Sequence, residues 1–287
     1  MDAPLAISLI IPAFNEAAVI GRAIAEAESA LSHAFRDFEI LIVDDGSTDQ
    51  TAEKVREQLP FAKHTRLIQH VGNRGYGCAL RTGFESARFP LVAFTDADCQ
   101  FHLRELHSLA EAARSHDIAV GYRVGRKDSR LRCFYSRGYN LLVRSILGTG
   151  VRDVDCALKV FQRDALASIL PDSRGFFVNA EMLTRARQFG MSVVEKPVSH
   201  RPRWGGESKV SIREIPKTFA HLLGFWWKDL AKGRRPAQPA TVQSWRIPAG
   251  VTGLATSNEA APPVASPDPE SEFHNRVEPR ERRPVSA

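Results

Sequence analysis

Short apolar runs that alternate with amphipathic stretches are the feature that most limits how this chain can fold. Residues 7–11, 39–43, 66–69 and 91–94 form runs rich in Ile, Leu and Val, which are typical of buried strands. Between the first two runs, Ile20, Ile24, Ala27 and Leu31 recur at helical spacing, with Asn15 as the expected N-cap. Strands joined by helices in this way predict an α/β fold, a mostly parallel sheet with helices on both faces.

Polar residues follow three of these runs at the point where each predicted strand ends. They are Pro12–Glu16, Asp44–Gly46 and Thr95–Gln100. The carboxyl ends of parallel strands meet at one edge of the sheet, where open α/β folds bind their ligands. The pattern therefore predicts a nucleotide site at that edge, although Asp44-Asp45-Gly46 taken alone is equally consistent with a plain turn.

The acidic pair after the fourth run predicts a metal site. Asp96, Asp98 and the amide oxygen of Gln100 are oxygen ligands of the kind that Mg²⁺ and Mn²⁺ prefer, and these ions bind through one or two carboxylates plus substrate phosphates. The alternative is a solvated acidic turn.

Two further segments combine glycines with positive charge. Gly72–Gly77 includes Arg74, but its glycines have the wrong spacing for a dinucleotide fingerprint and follow the third strand, so we reject a nicotinamide cofactor. We expect this loop to let backbone approach a nucleotide. Residues 201–209 carry Arg203 and Lys209 around paired glycines, which suits either a solvated loop or a clamp on phosphates.

Charge and cysteine usage limit the partners. The net charge of +6 and a pI near 9.3 favour anionic partners, but basic residues are interspersed with acidic ones and no nucleic-acid-binding motif is present. The four cysteines have no paired spacing that would indicate disulfides or zinc. Without a leader pattern or an apolar stretch of bilayer length, we expect the chain to be cytoplasmic.

The chain divides into three parts by pattern. We expect one folded α/β domain over 1–210, an amphipathic helix over 211–232 and a disordered, proline-rich tail over 233–287. The helix places Phe219, Trp226 and Trp227 among lysines and arginines. This pattern fits a terminal helix that packs on the core, or a helix that lies in a membrane interface.

Taken together, these motifs resemble family 2 glycosyltransferases with a GT-A fold, in particular the dolichyl-phosphate mannose and dolichyl-phosphate glucose synthase-like group. The resemblance covers about residues 7–210 and is carried, in order, by segments 11–16, 43–49, 73–79, 96–100 and 203–209.

The resemblance implies roles for individual residues. It places Pro12, Phe14, Glu16, Asp45 and Arg74 around the nucleotide of a sugar donor, beside Val43, Asp44 and Ala97 of the same motifs. It implies a divalent metal on Asp98 and Gln100, with Asp96 alongside, and closure of Arg203 and Lys209 over the donor phosphates. Arg123 and Arg137 would bind the phosphate of a lipid acceptor. For Arg137, the alternative is an ordinary solvated arginine on a helix surface.

The leading hypothesis is an inverting enzyme that transfers a hexose from a nucleotide diphosphate sugar to a polyprenyl phosphate. Phe14, Cys99 and Asp155–Leu158 depart from the mannose-synthase pattern and leave the donor open between the GDP-mannose and UDP-glucose types. One alternative is transfer to a polysaccharide or small metabolite, with Asp153 or Asp155 as base. Another is a domain that binds nucleotides without turnover. We expect peripheral contact with the cytoplasmic membrane face, with a membrane protein or a second copy of the chain as further candidate partners.

Overall fold

The computed structural model describes residues 5–125, 130–202, 224–225, 227 and 251–256, and for 130–137 and 251–256 it describes the backbone alone. The strands are β1 (Ala6–Ala13), β2 (Asp37–Asp44), β3 (Thr65–His70), β4 (Leu91–Phe94), β5 (Ile118–Val124), β6 (Lys159–Gln162), β7 (Val193–Ser199) and β8 (Val251–Thr256). The α-helices are α1 (Ile20–Ala34), α2 (Thr51–Gln58), α3 (Tyr76–Ser86), α4 (Leu106–Ala112), α5 (Arg130–Leu147), α6 (Arg163–Ser168) and α7 (Val178–Gln188).

All eight strands form one mixed sheet in the order β7-β5-β6-β4-β1-β2-β3-β8. The central strands β4, β1, β2 and β3 are parallel neighbours, and β5 is parallel to β7. Strand β6 runs antiparallel to both β4 and β5. The predicted α/β class is confirmed, with antiparallel pairing at β6 and at the β8 edge.

Helices cover both faces of the sheet. Ile10 contacts α3, where a Cβ at Gly83 would lie 2.4 Å from Ile10 Cγ2. The next residue, Ile11, lines a small cavity together with Ala23 of α1. Successive strand residues point to opposite faces, so α1 and α3 lie on opposite sides. The central strands are buried almost completely, as their continuous apolar runs predict.

The predicted N-cap of α1 was wrong. Helix α1 begins at Ile20, and its N-cap is Val19 without a side-chain cap. Asn15 instead has a positive φ of 51° and its Oδ1 accepts a hydrogen bond from the backbone N–H of Thr48, 2.8 Å away. Asparagine tolerates the left-handed region, so Asn15 turns the chain between β1 and α1 and ties this loop to the one after β2.

The tail prediction also needs a correction. Residues 251–256, within the segment expected to be disordered, form β8 and pair antiparallel with Arg66–His70 of β3. The pairing satisfies backbone groups that an edge strand would otherwise expose, a contribution that side-chain composition does not reveal. Most of the helix expected over 211–232 lies outside the described residues, but the Phe225 ring contacts that of Phe177 at 5.4 Å and Trp227 is exposed.

Candidate active site

The sheet brings the predicted strand-end motifs together at one edge. Ala13 pairs with Asp44 at the ends of β1 and β2, and the backbone N–H of Asp45 donates to Ala13 O at 2.8 Å. On the other side of β1, the N–H of Thr95 donates to Ile10 O at 3.0 Å. The loops after β1, β2 and β4 therefore lie together at the edge of the sheet where the sequence predicts a nucleotide site.

The loops after β1 and β2 are tied to each other by side chains. The backbone N–H groups of Asn15 and Glu16 donate to Ser47 Oγ and Thr51 Oγ1 at 2.9 and 2.8 Å. Phe14 and Glu16 are half-buried in this pair of loops. Pro12, Val43 and Ala97 are buried, so they support the loop surface from beneath rather than offer a polar group to a ligand.

Asp44 stabilises the turn that follows β2. The N–H and hydroxyl of Ser47 both donate to its Oδ1, and Gln69 Nε2 donates to Oδ2 at 3.0 Å. These contacts of Asp44 are those of a residue that stabilises a turn, which is the alternative that the sequence analysis gave for Asp44-Asp45-Gly46.

Asp45 organises the loop between β3 and α3. Its carboxylate is buried and accepts the backbone N–H groups of Arg74 at 3.0 Å and Gly75 at 2.8 Å. His70 Nδ1 lies 2.7 Å from the same carboxylate, and His70 Nε2 lies 3.0 Å from Thr82 Oγ1. This network fixes the backbone that carries the exposed Arg74. The sequence analysis missed His70, whose position directly after the predicted strand 66–69 was the available signal.

Glycines allow these loops to pack closely. A Cβ on Gly46, where φ is +70°, would lie 2.4 Å from the carbonyl carbon of Gly72. A Cβ on Gly77 would lie 1.9 Å from Ser173 O, so the first turn of α3 rests on the backbone of the loop before α7. Neither position has room for a side chain.

The acidic pair lies beside this arrangement. Asp98 is buried, and its Oδ1 accepts the backbone N–H of Gln100 at 3.1 Å across Cys99, whose φ is +57°. Asp96 is half-buried and accepts the Tyr76 hydroxyl at 2.9 Å. The Gln100 amide nitrogen donates to Arg201 O at 3.3 Å, which leaves its amide oxygen for another partner.

These groups fit a divalent cation that is completed by a substrate. Within the described part of the chain no cluster of three or more His, Cys, Asp and Glu side chains has metal-binding geometry. Mg²⁺ and Mn²⁺ need only one or two carboxylates when substrate phosphates and water supply the remaining ligands. Asp98, Asp96 and the Gln100 oxygen form such a set.

Asp155, in the loop before β6, contributes to the electrostatic environment of Tyr76. The pKa of the Tyr76 phenol is well above its ordinary value because of burial first, and then because of the charges of Asp96, Asp98 and Asp155. Tyr76 is therefore protonated at neutral pH and acts as a hydrogen-bond donor. The charge of Asp155 therefore acts on the same hydroxyl that donates to Asp96.

Arg123, which the resemblance places on a lipid phosphate, is paired with Asp153 in the structure. Its Nε and one terminal nitrogen each lie 2.7 Å from a different oxygen of Asp153. The two side chains are buried to about nine-tenths, with 10% and 9% exposed. A guanidinium in a bidentate pair is already neutralised, which argues against that role for Arg123 and against Asp153 as a free base.

The remaining predicted site residues lie where their side chains are not described. The backbone of Arg137 is in α5, while Arg203 and Lys209 fall outside the described residues. The chain reaches that segment from the site itself, because the N–H of Arg201 donates to Gln100 O at 2.8 Å and Phe101 pairs with His200.

A second residue that the sequence analysis missed is the buried Lys159. Its Nζ donates to Val154 O at 3.0 Å, to Asn179 Oδ1 at 2.9 Å and to Cys156 O. The ammonium therefore holds the loop that carries Asp153 and Asp155. Burial lowers the pKa of Lys159, against the opposing charges of Cys156, Asp155 and Asp153.

Comparison with known proteins gives the relatives of this chain. The family model described as "Glycosyl transferase family 2" matches residues 8–170. "Glycosyltransferase AglD" of Haloferax volcanii is 34% identical over 241 residues, which cover 79% of this chain and 38% of that protein. An undecaprenyl-phosphate 4-deoxy-4-formamido-L-arabinose transferase of Pseudomonas aeruginosa is 34% identical over 213 residues, 73% of this chain and 61% of that protein. The chain thus spans less than two thirds of either relative.

Solved structures show the same fold. Glucosyl-3-phosphoglycerate synthase from Mycobacterium tuberculosis in complex with UDP aligns with a TM-score of 0.61 and 20% identity, over 77% of this chain and 80% of that one. The same enzyme with Mn²⁺ and UDP-glucose gives 0.59 and 19%, over 76% of each chain. From the family match and this fold, the chain belongs to glycosyl transferase family 2 and has a GT-A fold.

Proposed function

We propose that this protein transfers a hexose from a nucleotide diphosphate sugar to a polyprenyl phosphate, with inversion at the anomeric carbon. The observation that carries the proposal is the position of Asp96, Asp98 and Gln100 at the same sheet edge as the loop that Asp45 organises. A donor held there has its nucleotide against the loops after β1 to β3 and its diphosphate near the acidic pair. The relative from Pseudomonas aeruginosa is named an undecaprenyl-phosphate transferase, and this name supports a polyprenyl phosphate as the acceptor.

The reaction makes modest chemical demands on the protein. An oxygen of the acceptor phosphate forms a bond to the anomeric carbon as the bond from that carbon to the diphosphate oxygen breaks. Because the acceptor oxygen is already anionic, alignment and stabilisation of the leaving diphosphate matter more than a strong base. A Mg²⁺ or Mn²⁺ ion held by Asp98 and Gln100, with Asp96 alongside, would supply positive charge at the diphosphate. Arg203 and Lys209 would add cationic contacts there, and Arg137 would contact the acceptor phosphate.

A glycosyltransferase with a hydroxyl acceptor is the second candidate. Asp155 favours it as the candidate base, because it is a half-buried carboxylate whose charge acts on the Tyr76 hydroxyl, whereas Asp153 is paired with Arg123.

Contact with a membrane follows from a lipid acceptor. Phe225 packs on Phe177, and Trp227, two residues further along the chain, is 57% exposed. Tryptophan side chains favour the membrane interface. No helix among the described residues is both long and apolar enough to cross a bilayer.

Product analysis tests the proposal. The protein is incubated with Mn²⁺, a panel of nucleotide sugars and either polyprenyl phosphate or a set of hydroxyl acceptors. Products are identified by mass spectrometry, with Asp98→Asn as the control for contaminating activity. We expect one donor to give a polyprenyl phosphate hexose. Sugar transfer only to hydroxyl acceptors would support the second candidate instead.

A further inference from the structure

The loop before α7 holds an exposed aromatic ring at a fixed place beside the acidic pair. Two adjacent phenylalanines separate at the start of α7: Phe177 is 3% exposed and lies in the core, whereas Phe176 is 38% exposed. The Phe176 ring lies 5.3 Å from that of Tyr76, at an interplanar angle of 32°. The Tyr76 hydroxyl donates to Asp96. The Tyr76 ring therefore lies between the acidic pair and the exposed ring of Phe176.

This loop is anchored to the site. The backbone N–H of Gly77 donates to Arg174 O at 2.8 Å. A Cβ on Gly75 would lie 2.5 Å from that same oxygen, so no side chain separates the loop from α3. An apolar group held this rigidly loses little conformational entropy when a ligand packs on it.

A positive charge accompanies the ring. Arg174 is exposed, and its Cβ lies 3.3 Å from the position that a Cβ on Gly75 would take. Among the described residues its guanidinium makes no ion pair, whereas the neighbouring Arg81 and Arg185 are both paired with Asp172. Arg174 therefore offers a charge that no side chain in the described part of the chain neutralises through an ion pair.

A ring and a guanidinium two residues apart suit a ligand that joins an apolar chain to an anion. We propose that Phe176 packs against the prenyl chain next to the acceptor phosphate and that Arg174 contacts this phosphate. The inference rests on the proposed function and deepens it by naming the acceptor subsite. A hydrocarbon chain gains free energy when it buries its surface against an aromatic ring, and a monophosphate is held best by a cation that is not already paired.

The test separates the two contacts by varying the acceptor chain. Transfer rates and affinities are measured with dimethylallyl, geranyl and farnesyl phosphate in solution, which removes any effect of a membrane surface. Affinity for each acceptor is also measured by calorimetry without donor. The variants are Phe176→Ala, Phe176→Leu and Arg174→Gln, with Phe61→Ala as a matched control, since Phe61 is 85% exposed at the end of α2.

Each contact has its own expected signature. In Phe176→Ala the gain in affinity from the shortest to the longest chain falls by roughly tenfold, the scale of burying an aromatic side chain, and Phe176→Leu restores part of it. In Arg174→Gln all three acceptors weaken by a similar factor of about ten, and Phe61→Ala is unchanged. A chain-length gain that persists in Phe176→Ala, or unchanged affinities in Arg174→Gln, would overturn the subsite while the proposed function stands. No transfer to any prenyl phosphate by the unmodified protein would overturn both.

Discussion

His70 Nδ1 lies 2.7 Å from Asp45 Oδ1, and both side chains are buried. A carboxylate can only accept, so the proton of this hydrogen bond is on Nδ1. Because Asp45 also accepts the N–H groups of Arg74 and Gly75, His70 holds the carboxylate that shapes the loop after β3. His70 is thus a positioning residue for the proposed nucleotide site.

Replacing His70 should weaken donor binding. His70→Phe removes the donor to Asp45, and we expect the Kd for a nucleoside diphosphate to rise about tenfold, the scale of a hydrogen bond to a charged group. His70→Asn places an amide N–H where Nδ1 was and should restore most of the affinity. Calorimetry measures both variants. Equal affinities in His70→Phe and the unmodified protein would exclude the positioning role.

The contact of α3 with the loop before α7 leaves no space at Gly77. In Gly77→Ala the Cβ would lie 1.9 Å from Ser173 O, and overpacking of this kind costs about 1–3 kcal/mol of the free energy of unfolding. Gly138 is the control, since it is also helical and nothing lies within 4 Å of its Cβ position. Gly138→Ala should stabilise the protein by up to about 1 kcal/mol. Urea unfolding of both variants checks the difference, and the same sign of change in both would contradict the packing.

Strands and strand ends could be predicted because their signals are local. The runs at β1, β2 and β4 are apolar throughout, and polar residues follow them directly, so both the sheet and its ligand edge follow from the order of residues. Strand β6 could not be recognised because it begins at Lys159, a residue type that is rarely buried without partners. Only the tertiary fold supplies the acceptors from 154, 156 and 179.

Partner choice among charged residues was also beyond local signals. Arg123 and Asp153 are thirty positions apart, and nothing in the sequence indicates that they pair with each other rather than with ligands. Strand β8 lies in a proline-rich tail and is defined by backbone pairing with β3. Hydrophobic periodicity therefore gives no indication of it.

Asp98→Asn tests the metal ligand without disturbing the turn. An asparagine Oδ1 still accepts the N–H of Gln100, so the fold should be retained, but the negative charge opposite a cation is lost. We expect turnover to disappear and Mn²⁺-dependent binding of a nucleoside diphosphate to weaken at least about tenfold. Asp37→Asn, at the exposed start of β2, is the control. Unchanged Mn²⁺-dependent binding in Asp98→Asn would remove Asp98 from the site.

Glu39 should make the stability sensitive to acid. It is buried between Ser8 and Arg66, with Arg88 alongside. Burial alone would raise its pKa, but the hydrogen bond from Ser8 and the charge of Arg66 outweigh burial and leave the pKa below the ordinary 4.5. A pKa that is lower in the folded state stabilises above 4.5, and this contribution is lost as the pH falls through the folded value.

Unfolding as a function of pH measures this contribution. Glu39→Gln should lose about 3 kcal/mol at neutral pH, because it leaves the largely buried Arg66 guanidinium without its carboxylate. Its stability should then fall less steeply below pH 4.5 than that of the unmodified protein. Glu57→Gln, at an exposed position of α2, should change by less than about 0.5 kcal/mol. Parallel pH profiles for Glu39→Gln and the unmodified protein would refute the assignment.

Lys159 and Asn179 should be coupled through one hydrogen bond in the core. Lys159→Met keeps the length of the side chain but leaves the acceptors from Val154, Cys156 and Asn179 without their donor, which should cost about 3 kcal/mol. Asn179→Leu removes one acceptor from the intact lysine. If the 2.9 Å contact holds the loop that carries Asp155, the double variant should lose less stability than the sum of the two single variants, by about 1 kcal/mol or more. In whichever variants remain folded, turnover should fall more than donor affinity, because the displaced loop carries Asp155, whose charge acts on the Tyr76 hydroxyl beside Asp96, and none of the loop contacts that tie the proposed nucleotide site together. Strict additivity in urea unfolding, together with unchanged turnover in the folded variants, would show that Lys159 merely fills space.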